Sequence, residues 1–164
     1  MGADKIQEEL IKFLQDAHGM EQQSLQTLQA AVMVAGDPQL ESLYQGHIME
    51  TQHHLRLLKE RLDAHDASRS LRKDVAGRLT AAALGAGVIA DSDTPAKLVA
   101  VAYGFEHFEI AVYELLKRVG ERAGDQDVVE MCEKILVNER QAADKLAASY
   151  DLALERSIYQ AQRA

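Results

Sequence analysis

The segment Gly104-Phe105-Glu106-His107-Phe108-Glu109-Ile110-Ala111-Val112-Tyr113 lies midway along a helical pattern with apolar residues at Leu98, Ala102, Phe105, Val112, Leu116 and Val119. Steps of three and four mark one buried face of an α-helix. The step after Phe105 is Glu109, and a carboxylate on a core seam costs several kcal/mol unless a partner neutralises it. A fold for this chain has to supply that partner.

Three further seams carry the same anomaly. Helix one is expected from about Asp4 to Ala35, with the seam Ile6, Leu10, Leu14, Ala17, Glu21, Leu25, Leu28 and Val32. Gly36-Asp37-Pro38 stops it, allows a left-handed C-cap and starts helix two. Helix two runs to about Ala64 with the seam Leu40, Leu43, His47, Glu50, His54 and Leu57, three of them polar in succession. From about Asp63 to Asp93 the pattern loosens, with room for a short helix over Val75–Ala83 before Gly85 and Gly87. Thr94-Pro95 opens helix three, a capping residue followed by proline in the first turn, and Gly124-Asp125 ends it after Ala123. Helix four is expected from about Asp127 past Leu154, along Val129, Cys132, Leu136, Glu139, Ala143, Leu146, Tyr150 and Leu154.

The two helical pairs read as an internal repeat. Glu21 precedes Ala35-Gly36-Asp37 by the same count as Glu109 precedes Ala123-Gly124-Asp125 (109 − 21 and 123 − 35 both equal 88). Past the turn the offset slips by one, and Glu50 falls on Glu139. Two hairpins with glutamates at matching depth, joined by a long connection, make an all-α, ferritin-like four-helix bundle with one crossover. The expected domain is the whole chain, 1–164, with a hairpin over 4–64, a crossover over 65–93 that contains a short helix, and a hairpin over 94–160. A connection of that length can return along a bundle of ~30–40 Å, at about 1.5 Å per helical residue.

Composition supports the helical reading and narrows the function. Apolar residues make up 47% of the 164, with two Pro and no Trp, and no run alternates as a strand would. A net charge of −8 argues against nucleic acid and anionic membranes as partners. The bland run from Leu79 to Ala90 is too short to span a bilayer, and the N-terminus enters the amphipathic pattern without a signal segment. A single cysteine, Cys132, fits a reducing compartment, so the expected location is the cytoplasm.

Converging carboxylates repel one another unless cations neutralise them. Two metal ions bridged by glutamates solve the problem, and helical bundles build such sites from one Glu per helix with nearby His. A mixed carboxylate and imidazole set suits iron, two per chain, with manganese as the other possibility. The four seam glutamates are Glu21, Glu50, Glu109 and Glu139. Glu50-Thr51-Gln52-His53 has the Glu-x-x-His spacing of bundle di-iron sites, while the seam itself turns His47 and His54 inward. All three histidines stay candidates. Helix four has Ala142 and Ala143 where a partner histidine would fall, which makes Glu106, one turn before Glu109, a replacement ligand. His18 is its repeat-equivalent. His107 points off the seam. Tyr44, Tyr113 and Tyr150 either tune a metal site or pack with their hydroxyls at the boundary.

Several of these stretches resemble the YciE/YciF family of bacterial ferritin-like proteins: Asp16 to Gln23 (DAHGMEQQ), His47 to Thr51 (HIMET), Glu106 to Ala111 (EHFEIA) with Tyr113, and Asn138-Glu139 with Ala143 to Leu146. The resemblance covers roughly residues 6 to 150. It implies a rubrerythrin-type bundle, a homodimer, an association with stress responses, and roles for Glu21, His47, Glu50, Glu106, Glu109 and Glu139. This chain departs from the family's usual pattern at His54, where glutamine is common, and at His18, where an aromatic is. Two functions are open at this point. One is a redox centre meeting dioxygen or peroxide, of oxidase, peroxidase or ferroxidase type; the other is a bundle whose metal only stabilises it or whose surface binds a partner.

Overall fold

The computed structural model describes residues 3–67 and 94–163, and every described element is helical. In chain order these are α1 (Ala3–Val34), α2 (Pro38–Ala64), α3 (Pro95–Ala123), α4 (Gln126–Ala148) and α5 (Tyr150–Ala161). The expected short helix over Val75–Ala83 lies outside the described residues.

The turns follow their local chemistry. Gly36 takes a left-handed φ of 62° after α1, and Asp37 caps α2 by accepting from the N–H groups of Gln39 and Leu40 at 2.8 and 3.4 Å. Gly124, at φ 70°, closes α3, and Asp125 then accepts from the Val128 N–H at 3.0 Å to start α4. Thr94 and Pro95 open α3 as expected, with the Thr94 hydroxyl accepting from Lys97 N–H.

α1 packs against α2 and α3, and α4 packs against α3 and α2, which closes a four-helix ring. Gln7 of α1 donates to the Ala123 carbonyl at the end of α3 at 3.3 Å, so those helices are antiparallel. Arg61 near the end of α2 meets Asp127 at the start of α4 at 2.5 Å, and His65 meets Asp125 at 2.8 Å. α2 therefore ends at one end of the bundle and α3 begins at the other. That placement of the two hairpins is the connectivity of a ferritin-like bundle.

The second hairpin departs from expectation near its end. Helix four is not continuous past Leu154: it breaks at Ser149, whose N–H and hydroxyl both reach back to the Leu146 carbonyl, at 3.0 and 2.8 Å. A hydroxyl bonded to the preceding turn competes with the helical ladder and bends the chain. α5 then docks against α3: the Ser157 hydroxyl accepts from Ala96 N–H at 3.0 Å, and Arg156 pairs with Asp37 at 2.7 Å. The break changes which side chains face inward. Ala153 is buried, while Tyr150 and Leu154, expected on the seam, are exposed.

The core has three layers. One apolar cluster contains Leu10, Leu14, Leu58, Leu62, Leu116 and Ile135. The other contains Leu28, Leu40, Tyr44, Leu98, Val99 and Leu146. On each of α1 to α4 buried polar residues lie between these clusters: Glu21 and Ser24, then His47, Thr51 and His54, then Glu106 and Glu109, then Glu139, which Ala142 and Ala143 follow. Apolar packing above and below removes water from this middle layer, and that sets its chemistry.

Candidate metal centre

Each helix delivers its polar residues by ordinary helical spacing. Glu106 and Glu109 are three apart on α3, and His47 and His54 are seven apart on α2, so each pair shares a face. Two groups of ligand-type atoms result, each with all its atoms within 4.8 Å of one another: His47, Glu106, Glu109 and Glu139 in one, Glu21, His54 and Glu139 in the other. Glu139 belongs to both. Its Oε2 lies 3.7 Å from His47 Nε2, and its Oε1 lies 2.9 Å from His54 Nδ1. One carboxylate thus extends an oxygen toward each histidine, the placement of a bridging ligand.

The outer nitrogens of both histidines are occupied. His47 Nδ1–H donates to Glu50 Oε2 at 3.0 Å, which leaves Nε2 facing Glu106 at 3.1 Å. His54 Nε2–H donates to Asn138 Oδ1 at 3.3 Å, which leaves Nδ1 facing Glu21 at 3.2 Å and Glu139. Orienting a ligand imidazole through its far nitrogen is how metal sites hold tautomer and ring angle. Tyr113, fully buried, donates to Glu21 Oε1 at 2.5 Å.

The inner atoms are close without being paired as hydrogen bonds. His47 Nε2, His54 Nδ1, Glu21 Oε2, Glu106 Oε2 and both oxygens of Glu109 and Glu139 are buried without a hydrogen-bond partner. Unpaired buried polar atoms are rare and call for an explanation such as a bound ion. Here they belong to residues that converge, and they are nitrogens and carboxylate oxygens, the donor set that suits iron or manganese. The residues present therefore fit a pair of metal ions.

Electrostatics points the same way. Burial pushes the Glu109 carboxyl well above the usual carboxylate range, and the charges of Glu139, Glu21 and Glu106 add to it. Glu106 is pushed up to about 7, mainly by burial, with His47 opposing and Glu139 reinforcing the rise. Burial also raises Glu21, against the pull of His54. For the histidines burial acts downward, but Glu106 and Glu50 outweigh it at His47, and Glu139 and Glu21 at His54; both rise to about 10. Protons are the counter-charges that the carboxylates hold when no metal is there.

The structure sorts the sequence candidates by position. Glu21, His47, His54, Glu106, Glu109 and Glu139 are brought together in the buried layer. Glu50 is displaced from the expected seam, because the buried stripe of α2 runs Leu40, Tyr44, His47, Thr51, His54, Leu58 rather than through Leu43, Glu50 and Leu57. Glu50 keeps 26% of its side-chain surface exposed and pairs with His47 and Lys145 at the rim. His53 is exposed, its Nδ1 accepting from Arg56, and it stands apart from both groups. His18 is half-buried and joins neither group; His107 is exposed, as expected, with its ring against Tyr103. Asn138 was not legible as a contributor, since it lies one step off the seam of α4 and meets His54 only across the bundle. Tyr113, expected either to tune a metal site or to pack with its hydroxyl at the boundary, is fully buried, and its bond to Glu21 was not legible.

Comparison with known proteins agrees with this architecture. A Xanthomonas campestris protein of known structure is 27% identical, with a TM-score of 0.76 over 96% of this chain and 99% of that one. The Escherichia coli stress protein YciF superimposes with a TM-score of 0.70 at 20% identity, covering 92% of this chain and 96% of its own. A two-domain Anabaena variabilis protein with DJ-1/ThiJ/PfpI-like and ferritin-like domains also matches, with a TM-score of 0.70 at 17% identity, over 91% of this chain and 38% of that one. Residues 5–158 match the family model described as a domain of unknown function, DUF892. Nearly the whole of this helical bundle is thus accounted for by one family model, and the chain belongs to that family, DUF892, while sharing its fold with YciF and with the ferritin-like two-domain protein.

Proposed function

We propose that the buried layer holds two iron ions, with manganese as the alternative, and that the centre has a redox role of oxidase, peroxidase or ferroxidase type. The observation that carries this reading is Glu139, which offers one oxygen to each of two histidine-containing groups in a layer closed to water. When bound, such a metal pair supplies one-electron steps and a Lewis-acidic place for dioxygen or peroxide. The chain's own residues do the rest. His47 Nε2 and His54 Nδ1 give up their protons to become ligands, while Glu50 and Asn138 hold the opposite nitrogens in place. Glu21, Glu106 and Glu109 supply negative charge that favours the higher oxidation state, and Tyr113 restrains Glu21. The apolar clusters on either side keep bulk water out.

The role in a stress response is proposed by extension from YciF, which is described as a stress protein. Action in the cytoplasm as a homodimer is part of the same proposal. Among the described residues no helix is long and apolar enough to cross a membrane. The test is anaerobic loading with Fe(II), metal analysis, then mixing with oxygen or hydrogen peroxide while following absorbance. Uptake of two irons per chain and oxidation faster than free iron, both lost in Glu139→Ala, support the redox centre. Uptake that only raises thermal stability would leave the second reading, a metal that clips the bundle by binding its folded state and relieving the carboxylate repulsion.

A further inference from the structure

The repeat read from the sequence survives in the fold with one change. The offset of 88 that carries Glu21 to Glu109 holds past the turn as well, without the expected slip of one. Adding 88 to the buried α2 positions Tyr44, Thr51 and Leu58 gives Cys132, Glu139 and Leu146, all buried on α4. The counterpart of Glu139 is therefore Thr51 (139 − 51 = 88) and not Glu50. By the same offset His54 answers to Ala142, and Glu106 answers to His18, which is half-buried and outside both ligand groups. A centre that kept the full repeat would draw a shared carboxylate from α2 as well as from α4. This one has a neutral hydroxyl there. Thr51 is fully buried, and its Oγ1 has no hydrogen-bond partner.

The two ligand groups are unequal as a result. The unpaired inner atoms of the first are His47 Nε2, Glu106 Oε2, both Glu109 oxygens and Glu139 Oε2. Those of the second are Glu21 Oε2, His54 Nδ1 and Glu139 Oε1, and Tyr113 holds the other Glu21 oxygen. The first group has three carboxylates; the second has two, one of them shared. Affinity for a divalent cation follows the charge and number of its ligands. We propose that the two positions fill in order, the His47–Glu106–Glu109–Glu139 group first and the Glu21–His54–Glu139 group second. Thr51, standing where the repeat has a carboxylate, keeps the second position weak. The proposal rests on the metal reading above and adds to it a one-metal form of the protein. The first ion also works against the second, because it draws on the shared Glu139 and repels a second cation in a layer that water does not screen.

The test titrates full-length, chelator-stripped protein with Mn(II), followed by calorimetry and electron paramagnetic resonance. Two steps are expected, the first tighter by more than about tenfold, since loss of one orienting partner alone costs about that much. The first equivalent is expected to give the hyperfine-split spectrum of an isolated Mn(II), which the second replaces with the broad spectrum of a coupled pair. Glu21→Gln is expected to remove the second step and keep the first. Thr51→Glu is expected to tighten the second step about tenfold or more by supplying the missing charge. Thr51→Asp supplies it on a shorter side chain should the first variant fold poorly by circular dichroism. Simultaneous filling, with the coupled spectrum present from the first addition, would overturn the order and leave the metal centre standing. Loss of the first step in Glu21→Gln would do the same. A second step no tighter in a folded Thr51→Glu or Thr51→Asp variant would overturn the role of Thr51. No uptake of Mn(II) or of anaerobic Fe(II) by the parent would overturn both the order and the metal reading.

Discussion

Replacing Glu106 by glutamine isolates the cost of burying this carboxylate. Burial raises its carboxyl from the ordinary 4.5 to about 7, net of the attraction of His47 at 3.1 Å. A group whose pKa is raised in the folded state contributes its full stability below the unfolded value and loses it as pH climbs through the folded one. The metal-free parent should therefore lose stability between about pH 4.5 and 7 through this residue. A rise from 4.5 to about 7 corresponds to about 3 kcal/mol. Losing Glu106 also lowers the His47 pKa that it holds up, which adds to the variant's relative gain above about pH 6.5; the other costs of the amide do not titrate. They cancel when the parent–variant difference at pH 4 is subtracted from that at pH 8. Relative to the parent, the variant should gain about 3 kcal/mol over that interval, or about 6–12 °C in Tm for a chain of this length. The assay is thermal denaturation followed by circular dichroism with chelator present, at several pH values. With metal bound the sign reverses, because the parent keeps a ligand that the variant lacks. A parent–variant difference that stays flat with pH would refute the reasoning, since it would mean that the Glu106 carboxylate is solvated like a surface one.

Three further outcomes follow from the same geometry. Glu50→Gln and Asn138→Ala are expected to weaken metal binding about 10–100-fold without lowering its stoichiometry, as loss of an orienting partner does; calorimetric titration separates this from the lost equivalent expected for His54→Ala. His53→Ala should leave stability within about 0.5 kcal/mol and metal content unchanged, because the ring is exposed and apart from the cluster. Tyr113→Phe should destabilise the metal-free protein by about 1–3 kcal/mol in chemical denaturation, since it strips a buried Glu21 oxygen of its hydroxyl donor.

Much of the molecule was legible before any coordinates. Helical periodicity, the Gly36-Asp37-Pro38 and Thr94-Pro95 signals and the repeat of Glu21 in Glu109 determined four long helices in two hairpins, because caps and apolar spacing act within a few residues of chain. The anomaly of carboxylates on apolar seams likewise pointed to a buried polar layer, and Glu21, Glu106, Glu109 and Glu139 all lie in it. Choices between neighbouring positions were not legible. Successive helical residues differ by about 100° in direction, so a seam passing through three polar residues is uncertain by one step. Packing against α1 and α4 made that choice, turning Thr51 inward and leaving Glu50 at the rim beside Lys145. The same packing separated His47 and His54 from His53, although all three stand close to Glu50 in sequence. The break at Ser149 carries neither proline nor glycine; docking of α5 on α3 and on the turn between α1 and α2 accompanies it, through contacts with Ala96 and Asp37 that are far away in the chain. The bond from Tyr113 to Glu21, the reach of Asn138 to His54 and the double contact of Glu139 all cross between helices. Local sequence therefore determined which faces are buried. Only the tertiary structure decided which atoms on those faces meet, because side chains from different helices share no spacing rule until the helices are packed.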